Sequence, residues 1–533
     1  MAAKQDVVII GGGHNGLVTA FYLAKAGRRP LVLERRPVVG GAAITDEFHP
    51  GFKIPTLAHT LGPLRPDVAR DMALDRHGLH IIRPEVRVFA PHPDGRSLFL
   101  YDDAERSAIS IAAFSAKDAE KYKEFHAVLG RIGKVMAQVL ETTPPSIDHP
   151  SSGDLWNMLK VGRGLRGLGK KEMYHVLRWG PMAIADLVAE FFESELLRAT
   201  IAARGTFGAF LGPWSAGTAL MLLMRAAGDG NPAGPTLFPK GGMGAVTQAM
   251  AAAAKQAGAE IRTGADVAQI LVKDGRVTGV ALASGETIEA GAVISNADPR
   301  RTLLGLVDPV HLGPEFVVRM RNYRCYGTVA KVNLALSGLP EFTALKKSPA
   351  GGLTGAAALS GRIHIGPEID YLERAFDDSK YGDFSQHPYL DVAIPSIADP
   401  SLAPAGKHVM SIYMQYAPFR LKSGDWDARA EALGDTVVKT LSEYAPNLKE
   451  LVIKGQVITP KDLESTYSLT TGHIFHGELT LDQIFTMRPL LDWARYRTPV
   501  QRLYLCSSGT HPGTGLTGGS GANAARDILK DLK

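Results

Sequence analysis

Near its start the chain places four apolar residues in a row, Val7-Val8-Ile9-Ile10, directly before Gly11-Gly12-Gly13. A short unbroken apolar run with β-branched residues predicts a strand buried on both faces, as in a parallel sheet. From Leu17 to Lys25 apolar positions recur at helical spacing, and Gly27 supplies the stop. Pro30 to Glu34 is a second apolar run, ending in an acid. Strand, glycine turn, helix and strand in this order predict a βαβ unit.

Related patterns return twice. In the middle, an alanine-rich helix is expected from about Ala245 to Ala257, and "GGMGA" before it reads as the start of that helix. The runs Glu260 to Arg262, Val267 to Lys273 and Val277 to Ala283 read as strands, with Asp274-Gly275 as a hairpin turn. "TIEAGAVISNADP" is then an apolar strand ending in small residues. Near the C-terminus, "LYLCSSGTHPGTGLTGGSGANAARDIL" reads as strand, glycine-rich loop and a helix starting near Leu516. Between these segments lie a hairpin pattern, "VRVFAPHPDGRSLFLYDD", long helical stretches, and strands such as "YGTVAKVNLALSG".

The glycines carry the first chemistry. Gly11, Gly13 and Gly16 spell G-x-G-x-x-G. Gly11 allows the tight turn, Gly13 lets a pyrophosphate approach the backbone, and Gly16 lets helix pack on strand. His14 and Asn15 lie in the same turn, at the helix N-terminus whose free N–H groups favour an anion. Glu34 ends the second strand, where an acid accepts hydrogen bonds from a ribose diol. Arg35 follows and suits a 2′-phosphate, which Glu34 would repel. The glycine pair of "ERRPVVGGAA", with Gly41 and Ala42, matches the extension that runs beneath FAD in flavoproteins. Val267 is expected near the adenine, with Asn296 and Ala297 closing over the nucleotide. A second complete strand–GxGxxG–helix–acid unit for NAD(P)H is missing, which argues against a pyridine-nucleotide reductase.

These motifs, with Thr510-His511-Pro512-Gly513 in "LYLCSSGTHPGTGLTGG" and with "HIFHGELTLDQIFTMRP", resemble the phytoene-desaturase-like branch of the FAD-dependent amine-oxidase superfamily. The resemblance implies an α/β fold. Its parts are a discontinuous, glutathione-reductase-like Rossmann-type FAD-binding domain (1–50, 239–310, 481–533) and an inserted mixed α+β substrate domain (51–238, 311–480). It implies non-covalent FAD, with Ser508, Gly509, Gly515, Leu516 and Thr517 against the ribityl chain and ring. It also implies dehydrogenation (desaturation) of a hydrophobic small molecule by hydride transfer to flavin N5, with O2 or a quinone as electron acceptor. Polyene isomerisation, amine oxidation and a non-catalytic partner-binding role stand beside it. Two positions depart from the pattern. Ser507-Ser508 replaces the frequent Gly-Asp, and Thr517 stands where desaturases carry proline. The second departure makes a carotenoid substrate less suited.

His511 is the candidate side chain near the ring, as a base or as an ordering hydrogen-bond partner. His473, His476 and Arg488 form a second candidate cluster for the substrate pocket. HxxH without HExxH or a third ligand predicts no metal.

Bulk composition narrows the rest. There are 59 basic and 54 acidic residues, too even a balance to suggest nucleic acid. Cys325 and Cys506 cannot build a disulfide framework, and the N-terminal segment lacks a signal-peptide pattern, so a cytoplasmic location is expected. The uncharged run between Arg204 and Arg225 reads as a buried wall or a surface-dipping segment, with peripheral membrane contact.

Overall fold

The computed structural model describes residues 5–62, 64–347, 353, 355–513 and 515–533. Its first sheet runs in the order Val267–Lys273, Arg276–Leu282, Thr287–Ser295, Gln5–Ile10, Pro30–Leu33, Glu260–Arg262, and Leu503–Leu505 pairs with Thr287–Ser295. The Gln5–Ile10 strand is parallel to both neighbours, with Val8 opposite Val293 and Leu31. Thr287–Ser295 begins antiparallel to Arg276–Leu282 and ends parallel to Leu503–Leu505. One long strand therefore joins a meander to a Rossmann-type parallel layer. The apolar runs read from the sequence sit in this layer because both its faces are covered.

Helices His14–Lys25, Gly244–Gln256 and Gly519–Asp531 cover one face. The first and last touch closely. Thr19 Oγ1 donates to the Gly521 carbonyl at 3.1 Å, and a Cβ at Gly521 would strike the Asn15 carbonyl. Only glycine lets the two backbones approach so near. The last helix begins at Gly519 and not near Leu516. The cause is local: Gly518 takes a left-handed φ of 73°, and Thr517 Oγ1 accepts the Gly519 N–H at 3.1 Å. Thr517 thus ends the loop and does not enter the helix.

The second sheet also has seven strands, in the order Val452–Ile458, Val329–Leu336, His408–Gln415, Leu390–Ala393, Arg362–Ile365, Val88–Pro91, Ser97–Leu100. Helices Ala116–Glu141, Glu195–Thr206 and Thr218–Ala226 pack beside it. A small hairpin, Thr45–His49 with Phe52–Pro55, spans residue 50 and packs its Phe52 and Ile54 against Val409 of the second sheet. The uncharged run ends one helix and builds another, with Met221, Leu222 and Leu223 in the core. Among the described residues, no helix is long and apolar enough to cross a membrane.

Candidate functional site

A cavity of about 590 Å³ starts at the first glycine turn and continues to the second sheet. Of the residues expected at the nucleotide, all but Gly16 and Gly509 line it. Gly16 lies behind the wall, where a Cβ would run into the Gly11 carbonyl. Gly509 packs on Pro299 in the same way.

The turn is held open from beneath. Glu34 Oε2 accepts the Gly12 N–H at 2.8 Å, and Oε1 accepts the Arg36 N–H at 2.9 Å. The carboxylate thus anchors the glycine loop as well as facing the cavity. Asn296 Nδ2 donates to the Gly11 carbonyl at 3.3 Å, and a Cβ at Gly13 would lie 2.8 Å from that same nitrogen. Two buried polar atoms at this end, His14 Nε2 and Arg36 Nη1, have no hydrogen-bond partner among the described residues. A bare glycine cradle with unpaired donors beside it fits a dinucleotide phosphate. Burial, then His476, lowers His14 to about 4.

From the other end of the chain, Ser508 reaches the cavity through Asn15, whose Nδ2 donates to Ser508 Oγ at 3.2 Å. Gly515, Leu516 and Thr517 line the next stretch. These residues would hold the ribityl chain and ring of a flavin dinucleotide.

Three expected site residues lie elsewhere. His511 does not reach the cavity. Its Nε2 is 3.3 Å from the Val139 carbonyl, its own carbonyl accepts the Tyr496 hydroxyl at 3.0 Å, and burial lowers it to about 4. It orders the loop. Arg488 is fully buried and donates to the carbonyls of Ser508 (2.7 Å), Glu478 (2.9 Å), Phe475 (3.0 Å), Gln483 (3.3 Å) and Gly477 (3.3 Å). All its reach is spent on binding the 475–483 segment to the end of the Leu503–Leu505 strand. His473 Nδ1 accepts the N–H groups of Phe475 (3.1 Å) and Gly477 (3.3 Å), and burial lowers it to about 3. His476 does line the cavity, with no hydrogen-bond partner for Nδ1 among the described residues, and burial lowers it too.

The far end holds groups that the sequence reading missed. His59 Nδ1 is 2.9 Å from Lys331 Nζ, and Lys331 sits 3.8 Å above the Tyr413 ring. His59 Nε2 lies 3.5 Å from Asp391 Oδ1, and Arg362 Nη1 donates to Asp391 Oδ2 at 2.7 Å. Burial drives Lys331 well below its ordinary value and lowers His59 to about 4. Burial pushes Asp391 upward, but Arg362 and His59 outweigh it and hold the carboxyl below the usual range. Phe207, Tyr389 and Phe475 give this end its apolar surface. The available signal was Lys331 itself, the one charge inside the apolar strand "VAKVNLAL".

Fold and cavity together define a dinucleotide-binding oxidoreductase of the Rossmann type. The family described as flavin containing amine oxidoreductase matches residues 16–529. The chain is similar to pyridine nucleotide-disulfide oxidoreductase domain-containing protein 2 of Rattus norvegicus, 37% identical over 99% of this chain and 94% of the relative. It is also similar to a lycopene-forming phytoene desaturase of Pseudescherichia vulneris, 27% identical over 99% of this chain and 100% of the relative. Its fold resembles that of an oxidoreductase from Methanosarcina mazei, with a TM-score of 0.61, 18% identity and coverage of 99% and 100% of the two chains. The chain belongs to the flavin-containing amine oxidoreductase family, and its cofactor is FAD.

Proposed function

We propose that this oxidoreductase dehydrogenates a small organic molecule with an apolar body, held in the far end of the cavity. A bound flavin supplies the acceptor for a hydride. The observation that carries the reading is continuity: one cavity joins the Gly13 turn and Ser508 to the Phe207, Tyr413 and Phe475 wall. The protein's own contribution is exclusion of water, orientation and proton handling. Lys331 Nζ meets His59 Nδ1, and His59 Nε2 faces Asp391, so the imidazole links the amine to the carboxylate. His59, Lys331 and Asp391 form a connected path along which a proton released on oxidation can pass. Burial disfavours the charged form of both basic groups. Three arginines line this end, which disfavours a polycationic amine.

The test is anaerobic bleaching of the flavin by a panel of alkenes, ketones, alcohols and amines, with product mass recorded. Loss of two hydrogens supports dehydrogenation. Unchanged mass points to isomerisation, and a flavin that dithionite reduces but no panel member bleaches points to the non-catalytic role.

The same proposal includes a peripheral membrane contact. Helices Ser152–Gly167 and Gly169–Trp179 expose Leu155, Trp156, Leu159 and Leu177 beside Lys160, Arg163, Lys170 and Lys171. An apolar face rimmed by lysine and arginine suits an anionic lipid surface.

A further inference from the structure

Arg204 and Arg225 bound the uncharged run in the sequence, and both turn into the cavity wall. Arg225 donates from Nη1 to the Arg204 carbonyl and from Nη2 to the Phe207 carbonyl at 2.6 Å. Its Cζ lies 5.8 Å from the Phe207 ring and 5.9 Å from the Phe475 ring. Arg204 is buried, and it donates from Nη1 alone, to the carbonyls of Asn231 (2.5 Å) and Pro232 (3.0 Å). Its Nε and Nη2 have no acceptor among the described residues, and neither atom is sealed within the protein.

Those two nitrogens form the side-on fork of a guanidinium, the edge that takes a carboxylate through two parallel hydrogen bonds. Gly234 keeps the flat face above them clear. A Cβ there would lie 2.6 Å from Nε and nearly equally far from Cζ (3.0 Å) and Cδ (3.1 Å), that is, over the face and not at the edge.

The charges do not balance around this fork. Asp391 is occupied by Arg362 at 2.7 Å, and Asp229 by Arg87 at 2.5 Å. Neither Arg204 nor Arg225 forms an ion pair among the described residues. A buried guanidinium with a part-buried one beside it and no carboxylate on either is costly to keep, and an anion between them would offset the cost. Burial already lowers Arg204 to about 9 and Arg225 to about 10.

We infer that Arg204, backed by Arg225, is a carboxylate subsite, so that the molecule oxidised is an amphipathic acid. The word "oxidised" rests on the dehydrogenase reading above, whereas the subsite does not. The carboxylate docks side-on at Arg204 Nε and Nη2. The apolar body lies along Phe207, Phe475 and Met224, which share the cavity with Arg204.

The experiment uses the FAD-loaded full chain, titrated in a calorimeter with decanoate, decanol and decyl phosphate, with flavin absorbance recording cofactor content. Decanoate is expected to bind about tenfold or more tightly than decanol, as one charge-assisted pair gives. Arg204→Gln is expected to abolish that preference while decanol affinity and flavin content stay unchanged. Arg204→Lys should restore only part of it, because an ammonium has no fork. Arg225→Gln serves as the second variant, with a smaller loss of the same preference. Equal binding of decanoate and decanol to the native protein, no binding of either, or a preference that survives Arg204→Gln overturns the subsite. Tighter binding of decyl phosphate than of decanoate overturns its assignment to a carboxylate. Decanoate selectivity without flavin bleaching by any member of the panel, extended with saturated, unsaturated, hydroxy and amino medium-chain acids, would sink the dehydrogenase reading alone.

Discussion

Asn15 and Ser508 are 493 residues apart in the chain and share a buried hydrogen bond of 3.2 Å. The same Asn15 side chain accepts the Gly521 N–H through Oδ1, also at 3.2 Å. One amide of the first helix therefore holds both the last glycine-rich loop and the last helix. Asn15→Leu leaves the Ser508 hydroxyl and the Gly521 N–H unpaired in a buried place, at roughly 1–3 kcal/mol each. The expected outcome is a folded protein that releases FAD at least about tenfold more readily, measured by ultrafiltration and flavin fluorescence. Native retention of FAD in this variant would remove the link from the account.

Glu34 has a double task, and Glu34→Ala ends both parts. The Gly12 and Arg36 N–H groups lose their acceptors, and the cavity loses its carboxylate. Each lost charge-assisted hydrogen bond costs about 1.5–3 kcal/mol. FAD affinity is expected to fall about ten- to a hundredfold, by titration of apoprotein with FAD. Glu34→Gln, which still offers an acceptor to Gly12, should fall between the two.

Arg488 is read as a structural bracket, which separates it from a substrate-binding arginine. Arg488→Met removes a donor from five backbone carbonyls, of which only that of Glu478 keeps another, Gln483 Nε2. The cost is on the order of 3–5 kcal/mol of folding stability, measured by urea denaturation. A variant that is as stable as the native chain yet loses binding of small molecules would reverse the reading.

Acid should weaken the fold. His14, His59, His364 and His511 are lowered to about 4 and His473 to about 3, from 6.5, with burial the first cause in each. Their folded values lie below the unfolded ones, so the unfolded chain binds more protons between about pH 6.5 and 4. Stability is complete above that window and is lost as pH falls through it. Each histidine contributes up to about 1.4 kcal/mol per pH unit. The melting temperature is expected to drop steeply from pH 6.5 to 4, and His511→Gln should flatten the slope. A flat profile across this range contradicts the burial argument.

Trp156 and Leu159 lie on the exposed face of the Ser152–Gly167 helix. Trp156→Ser with Leu159→Ser is expected to abolish co-sedimentation with vesicles of phosphatidylglycerol and phosphatidylcholine while flavin content stays unchanged. Native protein that ignores such vesicles excludes the contact.

The Rossmann-type layer was legible because its signals are local. Gly11, Gly13 and Gly16 announce a turn, the runs around Val8 and Val293 announce buried strands, and Glu34 falls where a ribose partner belongs. The far end of the cavity was not legible, since it exists only through long-range pairing. His59 and Lys331 meet across 272 residues, and nothing near either one announces the other. Arg204 and Arg225 looked like polar ends of an apolar run, because direction along a helix is set by tertiary packing. Of the two roles open to His511, tertiary packing selects the ordering one. Its motif places the loop correctly, but the Tyr496 hydroxyl and the Val139 carbonyl decide where the ring goes.

The strand Leu503–Leu505 and the Gly521 backbone close a wall that the first helix leaves open. During translation, then, the first glycine turn waits for some 500 further residues before the wall that completes its cradle emerges. A messenger cut short before Gly521 yields a polypeptide without that wall, so yellow colour reports synthesis at least as far as Gly521.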